Sequence, residues 1–301
     1  MIDALRRLLE RRAKPLPPSL RRALLVGAVV GLVGAMVWAW DRSSLTLSDL
    51  EWAPIAALAL VAAPLSLVLK AGEFTLAARI ADQRPSRRDA LEISVVSAAA
   101  NLLPLPGSLL VTVQALASDG AGYGRAIGAS AVPAIAWLGV TGVIGGIAIT
   151  VSGPVSLGVV VLVAGMVALC GAAVMFRSAA PTDGRVGLAA AVLLVEVAWL
   201  AVSGLRFTLA AAALGIDLDP SQALALSVAG AATVAIGFVP GGLGVREALI
   251  AALAPLIGLD VETGILLGVV DRIVWLGFLG LAGLTLSGQR SSTSRSDSAA
   301  S

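Results

Sequence analysis

Residues 238–247 read FVPGGLGVRE. One proline, three glycines and an Arg-Glu pair interrupt a segment, 221–258, that is otherwise apolar. Proline removes a helical N–H and clashes with the preceding turn, so Pro240 ends one helix. Gly241, Gly242 and Gly244 let the backbone turn tightly before a second helix begins near Val245. A second apolar segment, 90–118, is broken in the same way by NLLPLPGS at 101–108. Its pieces are about a dozen residues each, short of the ~20 that cross a hydrocarbon layer. Such a segment is expected to enter the membrane and return, with its irregular backbone sheltered by protein.

The rest of the chain sets the context. It is 58% hydrophobic and only 13% charged, whereas soluble domains are about 25% charged. The apolar runs do not alternate as barrel strands would. The expected class is therefore an all-α polytopic membrane protein, with full spans at 22–40, 53–80, 125–150, 155–176, 187–213 and 263–286. The absence of histidine, with Cys170 as the single cysteine, excludes His-based acid–base chemistry, His/Cys metal sites and an intrachain disulfide. Cys170 lies in the apolar run VLVAGMVALCGAAVMF and reads as filler. No Ser/Lys or paired-Asp arrangement stands at a spacing suited to hydrolysis. Neither an enzyme nor a cofactor is expected, and nucleic acid is not an expected partner.

Before the first span, residues 1–21 carry Ile2, Leu5, Leu8 and Leu9 on one helical face and Arg6, Arg7, Arg11 and Arg12 on the other. This reads as a leader lying on an anionic cytoplasmic leaflet, or as a basic stretch that only sets topology. Loop charge tests the two broken segments. If both return to the side they entered, Arg84, Arg87, Arg88, Arg125, Arg177, Arg185, Arg290 and Arg295 all fall inside. The outer loops then hold Asp41, Arg42, Asp49, Glu51, Asp217, Asp219, Asp260 and Glu262. If each broken segment crosses once, Arg177 and Arg185 move outside. The positive-inside rule favours the first arrangement, with both termini cytoplasmic. Residues 288–301 are expected to be a disordered polar tail.

The two broken segments belong to an internal repeat covering about 72–139 and 205–277. Phe74-Thr75-Leu76-Ala77-Ala78 pairs with Phe207-Thr208-Leu209-Ala210-Ala211, and Ser94 with Ser227. Pro106-Gly107 pairs with Pro240-Gly241, and VPAIAWLG (132–139) with VDRIVWLG (270–277). Three full spans separate the starts of the copies, so the copies face opposite ways. Inverted repeats with broken helices at mid-membrane are a transporter architecture; duplication without transport is the plainer reading.

The break also offers chemistry. The helix starting near Val245 presents unpaired N–H groups that favour an anion, and Arg246 adds a guanidinium suited to phosphate. Glu247 neutralises it or accepts a hydrogen bond from a head group. Asp271 and Arg272 form a second charged pair inside a span, where charge is costly and either lines a cavity or pairs. One outcome is a closed network, Arg246 with Asp271 and Glu247 with Arg272. The other is contact with a substrate. Glu196 faces the same choice, and Arg206 either joins in or snorkels to an interface. Lys70 and Glu73, at i and i+3, suit a local pair.

VPGGLGVREALIAAL followed by LGVVDRIVWLG resembles the second half of the flippase-like transmembrane domain of lysylphosphatidylglycerol synthases, a domain that also occurs as a stand-alone protein. The resemblance spans about residues 20–287. It implies a domain at 22–287 in a bacterial or archaeal inner membrane, related to lipid flipping. Membrane lipids, anionic or lipid-linked, are the implied substrates. A second copy of the chain and an envelope enzyme are candidate partners. A non-transporting scaffold for such an enzyme is the alternative. The family's first break follows an Asn, here Asn101. Two departures stand out: no aminoacyl transferase domain is expected after the Ser-rich tail, so lipid synthesis is not expected. The first copy also reads SLLVTVQAL and VPAIAWL where the family carries charge. Pro133-Ala134 replaces the acidic-Arg pair, leaving Asn101 and Gln114 as neutral remnants.

Overall fold

A computed structural model of the chain describes residues 33–34, 36–42, 47–100, 107–236 and 245–298. No strand occurs among them. The long helices are α1 (Trp52–Ile80), with a π turn at Leu58–Ala62, then α4 (Tyr123–Ser152), α5 (Val155–Ala179) and α6 (Arg185–Ala213). The last, α9 (Val261–Ser298), is apolar over Val261–Leu286. Five helices are thus long and apolar enough to cross a membrane, the mark of a multi-pass membrane protein. The expected span at 22–40 falls mostly outside the described residues, where 36–42 are helical. The leader at 1–21 lies wholly outside them. Residues 288–298, expected to be disordered, instead continue α9 as helix. Without proline in SGQRSSTSRSDS, extending a helix already nucleated by the span costs little.

Two pairs of shorter helices fill the intervals: α2 (Arg87–Ala100) with α3 (Gly107–Leu116), and α7 (Pro220–Ile236) with α8 (Val245–Leu253). The order long–short–short–long, α1 to α4, is repeated as α6 to α9. Local chemistry repeats with it. α1 ends on Asp82 at φ 65° and α6 on Gly215 at φ 66°. In each, the residue after that left-handed position donates back into the last turn: Gln83 N–H to Ala78 O at 2.8 Å, and Ile216 N–H to Ala211 O at 2.9 Å. The helix ends are therefore capped by the same Schellman geometry, with glycine relieving the Cβ penalty in one copy and aspartate tolerating it in the other.

Polar contacts tie the ends of each short pair together. Ser97 and Ser108 meet at 2.5 Å across the first break. The Gln83 side chain, just before α2, donates to Leu116 O at the end of α3 (3.0 Å). In the second copy Gln222, in the first turn of α7, donates to Ile257 O beyond α8 (2.8 Å). A side-chain amide thus closes the base of each pair, an economical way to satisfy a carbonyl left without a helical partner.

Two apolar cores organise the molecule. One joins Ala71–Ile80 of α1 with Ala81, α2, α3, Ala126–Ala136 of α4, Ala172–Ala180 and Val192 of α6. The other joins Leu58 and Ala62 of α1, Ala148 and Ile149 of α4, Phe207–Ala211 of α6 with Leu214, α7, α8 and the first half of the apolar part of α9. α1, α4 and α6 each run from one core to the other, so the two short pairs occupy opposite ends of the bundle. Outward apolar side chains such as Val160, Val163 and Val167 of α5 leave a surface suited to hydrocarbon.

Candidate functional site

The side chains at the start of α8 converge with those of α1, α6 and α9. Asp271, near the middle of the apolar part of α9, is the centre. Its Oδ1 accepts from Arg206 Nε at 2.7 Å and its Oδ2 from Arg246 at 2.9 Å. Arg206 also donates to Ser66 Oγ of α1 at 3.3 Å, and Ser66 donates onward to Ala62 O at 2.8 Å. Glu247 and Arg272 form a longer ion pair, Oε1 to Nε at 3.9 Å. Two aromatic faces complete the arrangement: the Arg206 guanidinium lies 4.9 Å from the Trp275 ring centre, and that of Arg246 5.3 Å from Phe207. Cation–π contact of this kind strengthens as water is excluded.

The geometry follows from helical spacing. Arg246 and Glu247 follow Val245, the first residue of α8, so they leave the break on adjacent faces and take different partners. Asp271 and Arg272 are likewise adjacent on α9, which aims one at Arg246 and the other at Glu247. Gly268, one turn earlier on α9, leaves room for Glu247, whose Cγ is 3.5 Å from where a Gly268 side chain would begin.

Charge and exposure are distributed unevenly. Three guanidiniums face two carboxylates, an excess of one positive charge. The carboxylate side chains of Asp271 and Glu247 are 1% and 4% exposed, while Arg206, Arg246 and Arg272 are 13%, 16% and 14% exposed. The surface the cluster exposes is therefore mostly guanidinium, with its counter-charges buried.

Of the expected site residues, Arg246, Glu247, Asp271 and Arg272 are brought together, in the closed pairing that was one of the two outcomes open from sequence. Arg206 does not snorkel to an interface: Asp271, Ser66 and Trp275 hold it inward, because a buried carboxylate offers more than a distant water layer. Glu196 is not in this cluster and lies earlier in α6, toward its N-terminus. Gln114 is remote as well, exposed and bonded to Ser118 and Tyr123. Asn101, Pro240, Gly241, Gly242 and Gly244 lie outside the described residues. Ser66, Phe207 and Trp275 escaped the sequence reading; the FTLAA and WLG repeats that contain the two aromatics carried the signal. Among the described residues no cluster of His, Cys, Asp and Glu is suited to a metal.

Compared with protein-family models and with curated proteins, the chain matches none.

Proposed function

We propose that the chain is a membrane translocase for a phospholipid or lipid-linked molecule with an anionic head group. In this reading α2–α3 and α7–α8 are re-entrant hairpins that enter from opposite faces of a cell membrane. A sixth span precedes α1, and both termini are cytoplasmic. The observation that carries the reading is the surplus guanidinium: three arginines over two sealed carboxylates, at the tip of a short helix pair and at mid-span depth. A charge surplus in hydrocarbon is costly, and a phosphate held bidentately would neutralise it. The α8 N-terminus adds partial positive charge on the same side. The resemblance to the flippase-like transmembrane region of lysylphosphatidylglycerol synthases supports the same substrate class.

A second reading has its own support. Both ion pairs are closed, as a static scaffold serving an envelope enzyme would have them. The two readings part in reconstituted vesicles. A fluorescent anionic phospholipid placed in both leaflets is bleached from outside, and the rate at which the protected fraction becomes accessible is followed. Wild type is expected to speed that rate at least tenfold over empty vesicles, and Arg246→Ala to remove most of the gain. Equal rates for wild type and empty vesicles favour the scaffold; equal rates for Arg246→Ala and wild type remove Arg246 from the site.

A further inference from the structure

A second charged cluster lies in the spans, on the other side of mid-depth. Lys70 Nζ and Glu73 Oε2 of α1 form an ion pair at 3.0 Å, their side chains 20% and 22% exposed. Glu196 of α6 is 1% exposed. Val195 Cγ2 is 3.9 Å from where a Gly72 side chain would begin, which sets the Glu196 stretch of α6 beside the Lys70–Glu73 stretch of α1. Among the described residues Glu196 Oε1 has no hydrogen-bond partner. The contrast with Asp271 is direct: an equally buried carboxylate there receives two guanidinium bonds.

The repeat gives this cluster its place. Matching Phe74 with Phe207 sets Glu73 opposite Arg206. Arg206 reaches across to Ser66 of α1, and Gly72, beside Glu73, packs on Val195, beside Glu196 of α6. The antiparallel α1–α6 contact is thus used twice, once with an arginine and once with a glutamate. The two clusters are roughly 15 Å apart along α6, ten residues at ~1.5 Å each. One has a surplus positive charge; the other, with one ammonium against two carboxylates, has a surplus negative charge. The first copy therefore did not lose its charge: the polarity is reversed and carried by different helices.

We propose that Lys70, Glu73 and Glu196 form a site for one monovalent cation, a proton or a sodium ion. Either would cancel the surplus charge and engage the buried oxygen of Glu196. A proton would do so by bridging Glu196 and Glu73; sodium would do so by taking oxygens from both. Other helices contribute little charge to the site. Of those packed on α1 and α6, α7 has no ionisable side chain and α4 only Tyr123 and Arg125 in its first turn. α2 carries Arg87, Arg88, Asp89 and Glu92 in its first two turns. Along its apolar part α9 carries Glu262, Asp271 and Arg272, the last two in the arginine cluster. As a cation site this stands without the translocase reading; as a coupling site it rests on it.

The test uses the full chain in nanodiscs, away from any lipid-transport readout. Infrared spectra at neutral pH report a protonated carboxyl by its C=O stretch. Thermal melting with sodium replacing choline at constant ionic strength reports sodium. Wild type is expected to show one signal, the carboxyl band for a proton or a sodium-dependent rise in melting temperature for sodium. Glu196→Gln is expected to lose it. Lys70→Met, which removes the competing ammonium, is expected to take up the cation at a several-fold lower concentration. Should Glu196→Gln fail to melt cooperatively, Glu73→Gln replaces it with the same expected loss. The proposal is overturned if wild type shows neither signal, if the glutamine variant keeps the wild-type signal, or if Lys70→Met weakens uptake. Slow lipid exchange in wild type with cation uptake intact would remove the translocase reading alone.

Discussion

Replacing Asp271 with alanine is expected to destabilise the protein by about 3–5 kcal/mol, the usual cost of breaking a buried ion pair by removing one partner. Asp271 accepts from both Arg206 and Arg246. Without it, three guanidiniums share one carboxylate, Glu247, among apolar helices. The cost arises from stranded charge rather than from lost packing, and that can be separated experimentally. Adding Arg206→Leu to Asp271→Ala restores the original surplus of one positive charge. The double variant should therefore melt above the single variant in detergent, the non-additivity expected of contacting residues. A single variant as stable as wild type would mean that Asp271 is not the anchor of the cluster.

Gly142→Leu should prevent recovery of folded protein. α4 and α5 meet through glycines: a side chain on Gly142 would begin 2.6 Å from Gly165 Cα, and one on Gly146 2.5 Å from Leu162 N. With Gly139 these positions recur every three or four residues, so they line one face of α4. Small residues let membrane helices approach until dispersion between backbones holds them together. The atoms in the way are main-chain atoms, which cannot rotate aside. Even Gly142→Ala forces the helices apart and is expected to cost about 1–3 kcal/mol, as overpacking does. Gly171→Leu, on α5 where nothing lies within 4 Å, is the control and should be close to neutral. Melting temperature after extraction decides the comparison. Equal loss in both variants would mean that leucine harms these helices wherever it is placed.

The spans were legible because crossing hydrocarbon imposes a length and a composition, and each expected boundary for the five described spans falls within a few residues of a helix end or, at 286, of the end of the apolar part of α9. The short helices on either side of 101–106 and 237–244 were legible because Pro and Gly punctuate apolar runs. The pairing of Arg246 with Asp271 and Glu247 with Arg272 was one of two outcomes open from sequence, since charges at that depth either pair or line a cavity. Arg206 could not be placed, because its partners Ser66 and Asp271 come from helices far away in the chain. The same holds for Glu196 and the Lys70–Glu73 pair. Reading the first copy residue against residue showed Pro133 where Asp271 stands and suggested a neutral half. Only the helix crossing brings Glu196 from the second copy's first helix to the first copy's charges.

We propose that one repeat builds two helix pairs opening toward opposite faces of the membrane. Cysteine labelling in intact cells tests it most directly. Cys170 is first replaced by alanine, and single cysteines are placed at Asp119, beyond α3, and Asp260, before α9, both exposed. A membrane-impermeant maleimide is expected to label the cysteine at position 260 from outside and the one at 119 only after the membrane is opened. Labelling of both from the same side would contradict the opposed arrangement, and with it the translocase built on it.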